Sequence, residues 1–147
     1  AVAQMIAQHG QTPARRSRND AVTPATRVYL GDSMGEMAAY YSAAQVAFVG
    51  GSLLPLGGQN LIEAAAMGCP VLVGPHTFNF QEATRQAIQT GAALEVADAR
   101  ELADQLSRLH ASPAERQAMA EAGRAFNAAH GGATRRVMAL IETAYPG

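Results

Sequence analysis

Two short apolar runs, each emptying into glycine and then into a helix signature, restrict this chain more than any other feature. Val46-Ala47-Phe48-Val49 leads into Gly50-Gly51-Ser52, and a second glycine pair, Gly57-Gly58, stands just before Gln59-Asn60-Leu61-Ile62-Glu63. Downstream, Val71-Leu72-Val73 leads into Gly74-Pro75-His76-Thr77-Phe78-Asn79-Phe80-Gln81-Glu82. Strand, glycine turn and helix in that order make the local unit of an α/β sheet. The turns bring backbone N–H groups up to whatever lies at the strand ends.

The same rhythm extends along the chain. Strands are expected at Arg27–Leu30, Val46–Val49, Val71–Val73 and Ala92–Val96. None alternates cleanly, and continuous apolar runs suit a sheet covered on both faces. Helix starts are expected at capping boxes, where a side-chain acceptor precedes glutamate by three residues. Ser33 with Glu36, Asn60 with Glu63, Asn79 with Glu82, Asp98 with Glu101, and Ser112 with Glu115 fit that rule, and Pro113 suits a first helical position. The order βαβαβαβα, followed by further helices, predicts an α/β fold with a doubly wound parallel sheet.

In the helix from Glu101 to His110, Leu102, Leu106 and Leu109 form an apolar stripe, and the next helix offers Met119, Ala122 and Phe126. Gly131-Gly132 is expected to break the chain before a last helix at about Thr134–Ala144 carrying Val137, Leu140 and Ile141. At the start, Val2, Met5 and Ile6 share a helical face that ends at Gly10, with no strand expected before it. The expectation is one domain over residues 1–147, the back part of a larger protein and lacking its first strand. The sheet edge or apolar patch so exposed would favour dimerisation.

Composition narrows the function classes. The 147 residues, 48% of them hydrophobic, allow one real core. No apolar run reaches membrane-spanning length and no signal peptide is legible, so the fragment is expected to be soluble. The net charge of -1 carries no nucleic-acid signature. Lysine is absent, which excludes a P-loop ATPase and a lysine Schiff base. There is no Gly-x-Gly-x-x-Gly fingerprint, no metal motif is present, and no cofactor is implied. Arg15-Arg16-Ser17-Arg18, the only dense basic patch, reads as a loop that is either solvated or in contact with phosphate or anionic lipid. The lone Cys69 reads as a small buried residue.

Each candidate site residue carries two readings. Glu36 is a capping-box partner or a ligand contact; Gly35, costly in a helical turn, points to close approach of a ligand or backbone. Gly50, Gly51 and Ser52 form a turn needing positive φ or a surface where ligand meets backbone. Gly57, Gly58 and Asn60 lead into a helix start suited to phosphate. Glu63 is a cap partner or an acceptor for ribose hydroxyls. His76, stiffened by Pro75, is a loop histidine or a donor to an anionic group. Phe78 and Phe80 stack on a base or fill the gap under the loop.

Together these strings resemble the C-terminal domain of a 3-deoxy-D-manno-octulosonic acid (Kdo) transferase, over nearly the whole chain from about Arg15. Those carrying the likeness are Leu30-Gly31-Asp32-Ser33-Met34-Gly35-Glu36-Met37, Val46 to Leu53, Gly57-Gly58-Gln59-Asn60 and Gly74 to Phe80. The resemblance implies the Rossmann-like second domain of a two-domain GT-B glycosyltransferase. It implies an inverting transfer of Kdo from CMP-Kdo to a lipid A precursor, in lipopolysaccharide biosynthesis, without a firmly required metal. The general base and acceptor groove belong to the absent N-terminal domain, so no catalytic residue is expected here and the fragment alone is expected to be inactive. The whole enzyme would sit peripherally on the cytoplasmic side of the cell inner membrane.

By the same resemblance, Gly57, Gly58 and Asn60 border the CMP phosphate and Glu63 reaches the ribose. Met34, Gly35 and Glu36 border the cytidine, and Gly51 and Ser52 lie beside the donor. Pro75 and His76 line the cleft near the nucleotide, and Asn79 lies near the sugar. Gln59 stands where the family usually has histidine and still offers an amide donor. The alternatives are a non-catalytic nucleotide-binding module, or a GT-B transferase or epimerase using a UDP-sugar.

Overall fold

The computed structural model describes the backbone of residues 1–144 and side chains through residue 131. The chain divides into two compact units, Ala1–Tyr40 and Tyr41–Gly147.

In the first unit, helix α1 (Val2–Gln8) is followed by strand β1 (Ala14–Arg15), a 3-10 turn (Arg16–Arg18) and strand β2 (Tyr29–Leu30). β1 and β2 run parallel, with Ala14 opposite Tyr29 and Arg15 opposite Leu30. The stretch holding Arg15 and Arg16 is therefore a strand end and turn, where a loop was expected. Polar bonds shape it: the Arg15 N–H donates to Asp20 Oδ2 at 3.0 Å, and the Asp20 N–H donates to the Arg15 carbonyl at 3.2 Å. Asn19 closes the turn at φ +52, a left-handed conformation that asparagine tolerates. No residue of this unit is buried.

Helix α2 (Met37–Ala43) leads into the second unit, which contains strands β3 (Ala47–Val49), β4 (Val71–Val73) and β5 (Ala93–Glu95) and helices α3 (Ile62–Ala66), α4 (Gln81–Gln89), α5 (Ala99–Ala111) and α6 (Pro113–Ala144). The strands form one parallel sheet in the order β3-β4-β5. β4 is central and wholly buried, and its side chains alternate between two apolar clusters. Val71 and Val73 pack with Val49, Leu61, Ala64 and Phe126, while Leu72 packs with Val96, Leu109 and Met119. Burial on both faces explains why β4 reads as an unbroken apolar run, while Phe48 of β3 and Glu95 of β5 stay exposed. The expected α/β class, parallel sheet with flanking helices, holds. β2, however, pairs with β1 in a separate two-stranded sheet, so the four expected strands do not form one sheet among the described residues.

Several local expectations change. Asp98 does cap α5: its Oδ1 accepts the Glu101 N–H at 2.9 Å, and Glu101 returns a carboxylate oxygen to the Ala97 N–H at 2.8 Å. Ser112 accepts the Glu115 N–H at 3.4 Å. The other three boxes do not form. Asn60 accepts from Ile62, two residues on, because α3 begins only at Ile62. α4 begins at Gln81 without a side-chain cap, and Glu82 pairs with Arg85 instead. α2 begins at Met37, beyond Ser33. Of the predicted α5 stripe, Leu109 is buried while Leu106 stays exposed. α6 runs through Gly131-Gly132 without a break. Glycine costs a helix only about 1 kcal/mol per residue against alanine, too little by itself to end a long one. Val137, Leu140 and Ile141 lie outside the residues whose side chains are described. Among the described residues, no helix is long and apolar enough to cross a membrane.

Candidate functional site

In the second unit, the loops leaving β3 and β4 are tied to each other residue by residue. Ser52 is the knot. Fully buried, it donates its hydroxyl to the Val49 carbonyl at 2.5 Å and accepts the Gly74 N–H at 2.8 Å. Its carbonyl accepts the His76 N–H at 2.9 Å. The Asn79 N–H donates to the Gly57 carbonyl at 3.1 Å, and the Gly58 N–H returns to the Gly51 carbonyl at 3.0 Å.

Two of these positions are tight for any residue larger than glycine. A Cβ on Gly74 would lie 2.3 Å from the Ser52 carbonyl oxygen. A Cβ on Gly57, already at φ +90, would lie 2.4 Å from the Asn79 side chain. The backbone of both loops is thus set before any ligand arrives, which is the condition for low-cost stabilisation of charge.

The structure brings Gly51, Ser52, Gly57, Gly58, Pro75, His76 and Asn79 together in this double loop. Their exposures differ. Ser52, Gly57 and Gly58 are buried, His76 is half-buried, and Pro75, Gln59 and Asn79 are exposed. Ser52 is a structural latch whose hydroxyl is already committed. Asn60 spends Oδ1 on the Ile62 N–H at 2.9 Å, which leaves Nδ2 as its donor. Glu63 lies in the first turn of α3, exposed. The Tyr41 hydroxyl is held above the usual tyrosine range by burial first and by the Glu63 charge second, so the two lie within electrostatic reach. A cavity of about 290 Å³ opens beside the second loop, bordered by Pro75, Thr77, Gln81, Thr84, Arg85 and Glu95. Sequence reasoning did not name most of these residues, because nothing local marks them. Phe78, Leu54 and Leu56 form exposed apolar points on the two loops.

Met34, Gly35 and Glu36 belong to the first unit. Met34 is 95% exposed. Gly35 sits at φ +78, a left-handed conformation that favours glycine, with no protein atom within 4 Å of its Cβ position. Glu36 is gripped by Arg16, whose Nη2 lies 2.9 Å from Oε1 and whose Nε lies 3.1 Å from both carboxylate oxygens. The Ser33 hydroxyl donates to Glu36 Oε2, and Tyr40 adds a longer bond at 3.4 Å. The Ser33 hydroxyl first and Arg16 second hold the Glu36 carboxyl below its ordinary range.

Asp32 is held likewise. Its Oδ1 accepts the Ser17 N–H at 2.8 Å, and its Oδ2 accepts the Ser17 hydroxyl at 2.7 Å and Arg15 Nη2 at 2.6 Å. The Ser17 backbone bond leads in lowering its carboxyl. The arginine patch therefore faces two carboxylates of its own chain, a pairing across 17 and 20 residues that the sequence did not disclose.

The family described as "Glycosyl transferases group 1" matches residues 13–126. A 3-deoxy-D-manno-octulosonic acid transferase of Bordetella pertussis is 58% identical over 134 residues, 90% of this chain and 31% of that protein. Its namesake from Haemophilus influenzae is 40% identical over 131 residues, 87% of this chain and 30% of that protein. The chain thus spans about a third of the length of these curated relatives. Among solved structures, the C-terminal CMP-Kdo binding domain of WaaA from Acinetobacter baumannii superposes with a TM-score of 0.78 at 34% identity, covering 84% of this chain and 64% of that one.

Proposed function

The chain belongs to the glycosyl transferases group 1 family, and on that premise we propose that it is the C-terminal, donor-binding domain of a Kdo transferase, spanning residues 1–147. The observation that carries this reading is the interlocked double loop at the carboxyl ends of β3 and β4, where ligands of open α/β sheets bind. It combines with the likeness to the C-terminal CMP-Kdo binding domain of WaaA.

In this reading the glycine loop, with Gly51, Gly57 and Gly58, lies against the CMP phosphate, and the Nδ2 group of Asn60 donates to it. α3 has only five residues, so loop backbone and side-chain donors supply the contact rather than a long helix dipole. Gln59 adds an amide donor. Glu63 accepts from the ribose hydroxyls. Pro75 and His76 line the nucleotide side of the cleft, and Asn79 lies towards the sugar, while Ser52 fixes the two loops from beneath. Met34, Gly35 and Glu36 serve the cytidine.

Transfer breaks the bond between the Kdo anomeric carbon and the CMP phosphate oxygen. Negative charge grows on the departing CMP, and fixed donors around it lower the barrier. The base that takes the acceptor proton, and the surface that holds the lipid A precursor, belong to a part of the enzyme outside residues 1–147. Peripheral association with the inner membrane belongs to that enzyme as well.

Calorimetric titration of the full-length protein with CMP, UMP and ADP tests the reading. CMP should bind at least about tenfold more tightly than the others, a difference near 1.4 kcal/mol. Glu63→Gln should weaken CMP binding by about 1–3 kcal/mol with unchanged melting. Equal binding of the three nucleotides, or none, would sink the cytidine assignment.

A further inference from the structure

We propose that Arg16 is a positioning residue of the donor site: through Glu36 it holds the exposed Ser33–Gly35 turn in the form that meets the nucleotide. The proposal rests on the donor reading above and changes the role of Glu36 within it.

Glu36 has little acceptor capacity left. A carboxylate offers about four lone-pair sites. Here Oε1 takes Arg16 Nε and Nη2, while Oε2 shares the same Nε–H and takes the Ser33 hydroxyl. To accept from a ligand hydroxyl, Glu36 would have to give up a partner it already has. The guanidinium is anchored from its other edge too, because Nη1 donates to Asn19 Oδ1 at 2.6 Å. The Tyr40 hydroxyl, 2.8 Å from Ser33 Oγ and 3.4 Å from Glu36 Oε2, has one proton for these two acceptors and closes the network around the turn.

Between these anchors the chain is open. Met34 is 95% exposed, and the Gly35 backbone, at φ +78, has nothing within 4 Å of its Cβ position. What the turn offers a ligand is therefore backbone and the Met34 side chain, while Glu36, bonded to Arg16 and Ser33, serves as its holder. An arginine suits this task because its planar fork fixes a carboxylate in orientation as well as position.

The test uses the full-length protein with Arg16→Ala, Arg16→Lys, Glu36→Gln and the double variant Arg16→Ala/Glu36→Gln. CMP affinity is read by calorimetry, the turn by amide hydrogen exchange, and turnover by KM against kcat. Arg16→Ala and Glu36→Gln should each weaken CMP binding about tenfold and raise the donor KM alike, with kcat within about twofold, as for an interaction made equally in ground and transition states. The double variant should be no worse than either single one, since both remove the same interaction. Exchange at Met34 and Gly35 should quicken in all three while β4 stays protected. Arg16→Lys, which keeps charge but loses the fork, should fall between, and it also answers the case in which Arg16→Ala fails to fold. Loss on Glu36→Gln with Arg16→Ala at parity, or additive losses, would make Glu36 a direct ligand contact and overturn the proposal while leaving the donor reading intact. Absence of CMP binding by the unaltered protein would overturn both.

Discussion

Ala1–Tyr40 and the unit that follows it are held together by opposite kinds of force. The first has no buried residue and relies on Arg15 with Asp32, Arg16 with Glu36, and the edge-on contact of Tyr29 with Tyr40 at 6.4 Å. The second has a central strand with Val71, Leu72 and Val73 at 0% exposure and apolar clusters on both faces. Burial of apolar surface contributes about 25 cal/mol per Å² and is insensitive to charge state. Ion pairs open to solvent are screened by salt and need both partners ionised. The difference teaches that the two units have different vulnerabilities: the glycine double loop stands on an apolar core, whereas the Met34 turn stands on a polar clasp.

The sharpest way to break this contrast is to cut into the core. Leu72→Ala removes a fully buried side chain between β4 and α5 and should cost about 2–5 kcal/mol in denaturant unfolding of the second unit. Exchange in Ser33–Glu36 should be unaffected. A loss well under 1 kcal/mol would mean that the core does not dominate that unit.

A smaller effect is expected from Gly74→Ala, because the new methyl group meets the backbone oxygen of Ser52 and the loops must part. The cost should be about 1–3 kcal/mol. CMP affinity should fall with it, which separates the loops' role in binding from the core's role in folding. Unchanged binding and stability in the variant would show that the two loops are not locked together.

The smallest and most selective effect is expected from acid. The Asp32 and Glu36 carboxyls are held below their ordinary values by Ser17 and Ser33 respectively, with Arg15 and Arg16 adding to the effect. A group whose folded pKa is depressed contributes stability that is full above its unfolded value and lost as pH falls through the folded one. Between pH 5 and pH 3, about the range where free carboxylates protonate, exchange in the Met34 turn should begin to rise, and further acid should complete the change. β3, β4 and β5 should keep their protection over the same window, and added salt should mimic part of the effect. Parallel loosening of both units would erase the distinction drawn here.

Much of the second unit was legible because its signals are local. Val71–Val73 is a strand as read, Val46–Val49 and Ala92–Val96 are trimmed only at their ends, and the Asp98 cap needs no partner beyond Glu101. The caps expected at Asn60 and Asn79 do not form: Asn60 accepts the Ile62 N–H at the start of its helix, while Asn79 donates its backbone N–H to Gly57 and its helix starts two residues later. β1 was missed because Ala14-Arg15 carries no apolar run; it is a strand only by pairing with Tyr29-Leu30.

By itself the sequence determined the parallel α/β class, the glycine turns at the ends of β3 and β4, and the kinship with Kdo transferases. These depend on side-chain period, glycine placement and long ordered strings, all of which are properties of neighbouring residues. Only the tertiary structure decided that Ser52 latches the loops after β3 and β4 together and that Glu36 pairs with Arg16. Those assignments depend on hydrogen bonds between residues far apart along the chain. A carboxylate or hydroxyl shows no preference in sequence for one distant partner over another; the folded distances make that choice.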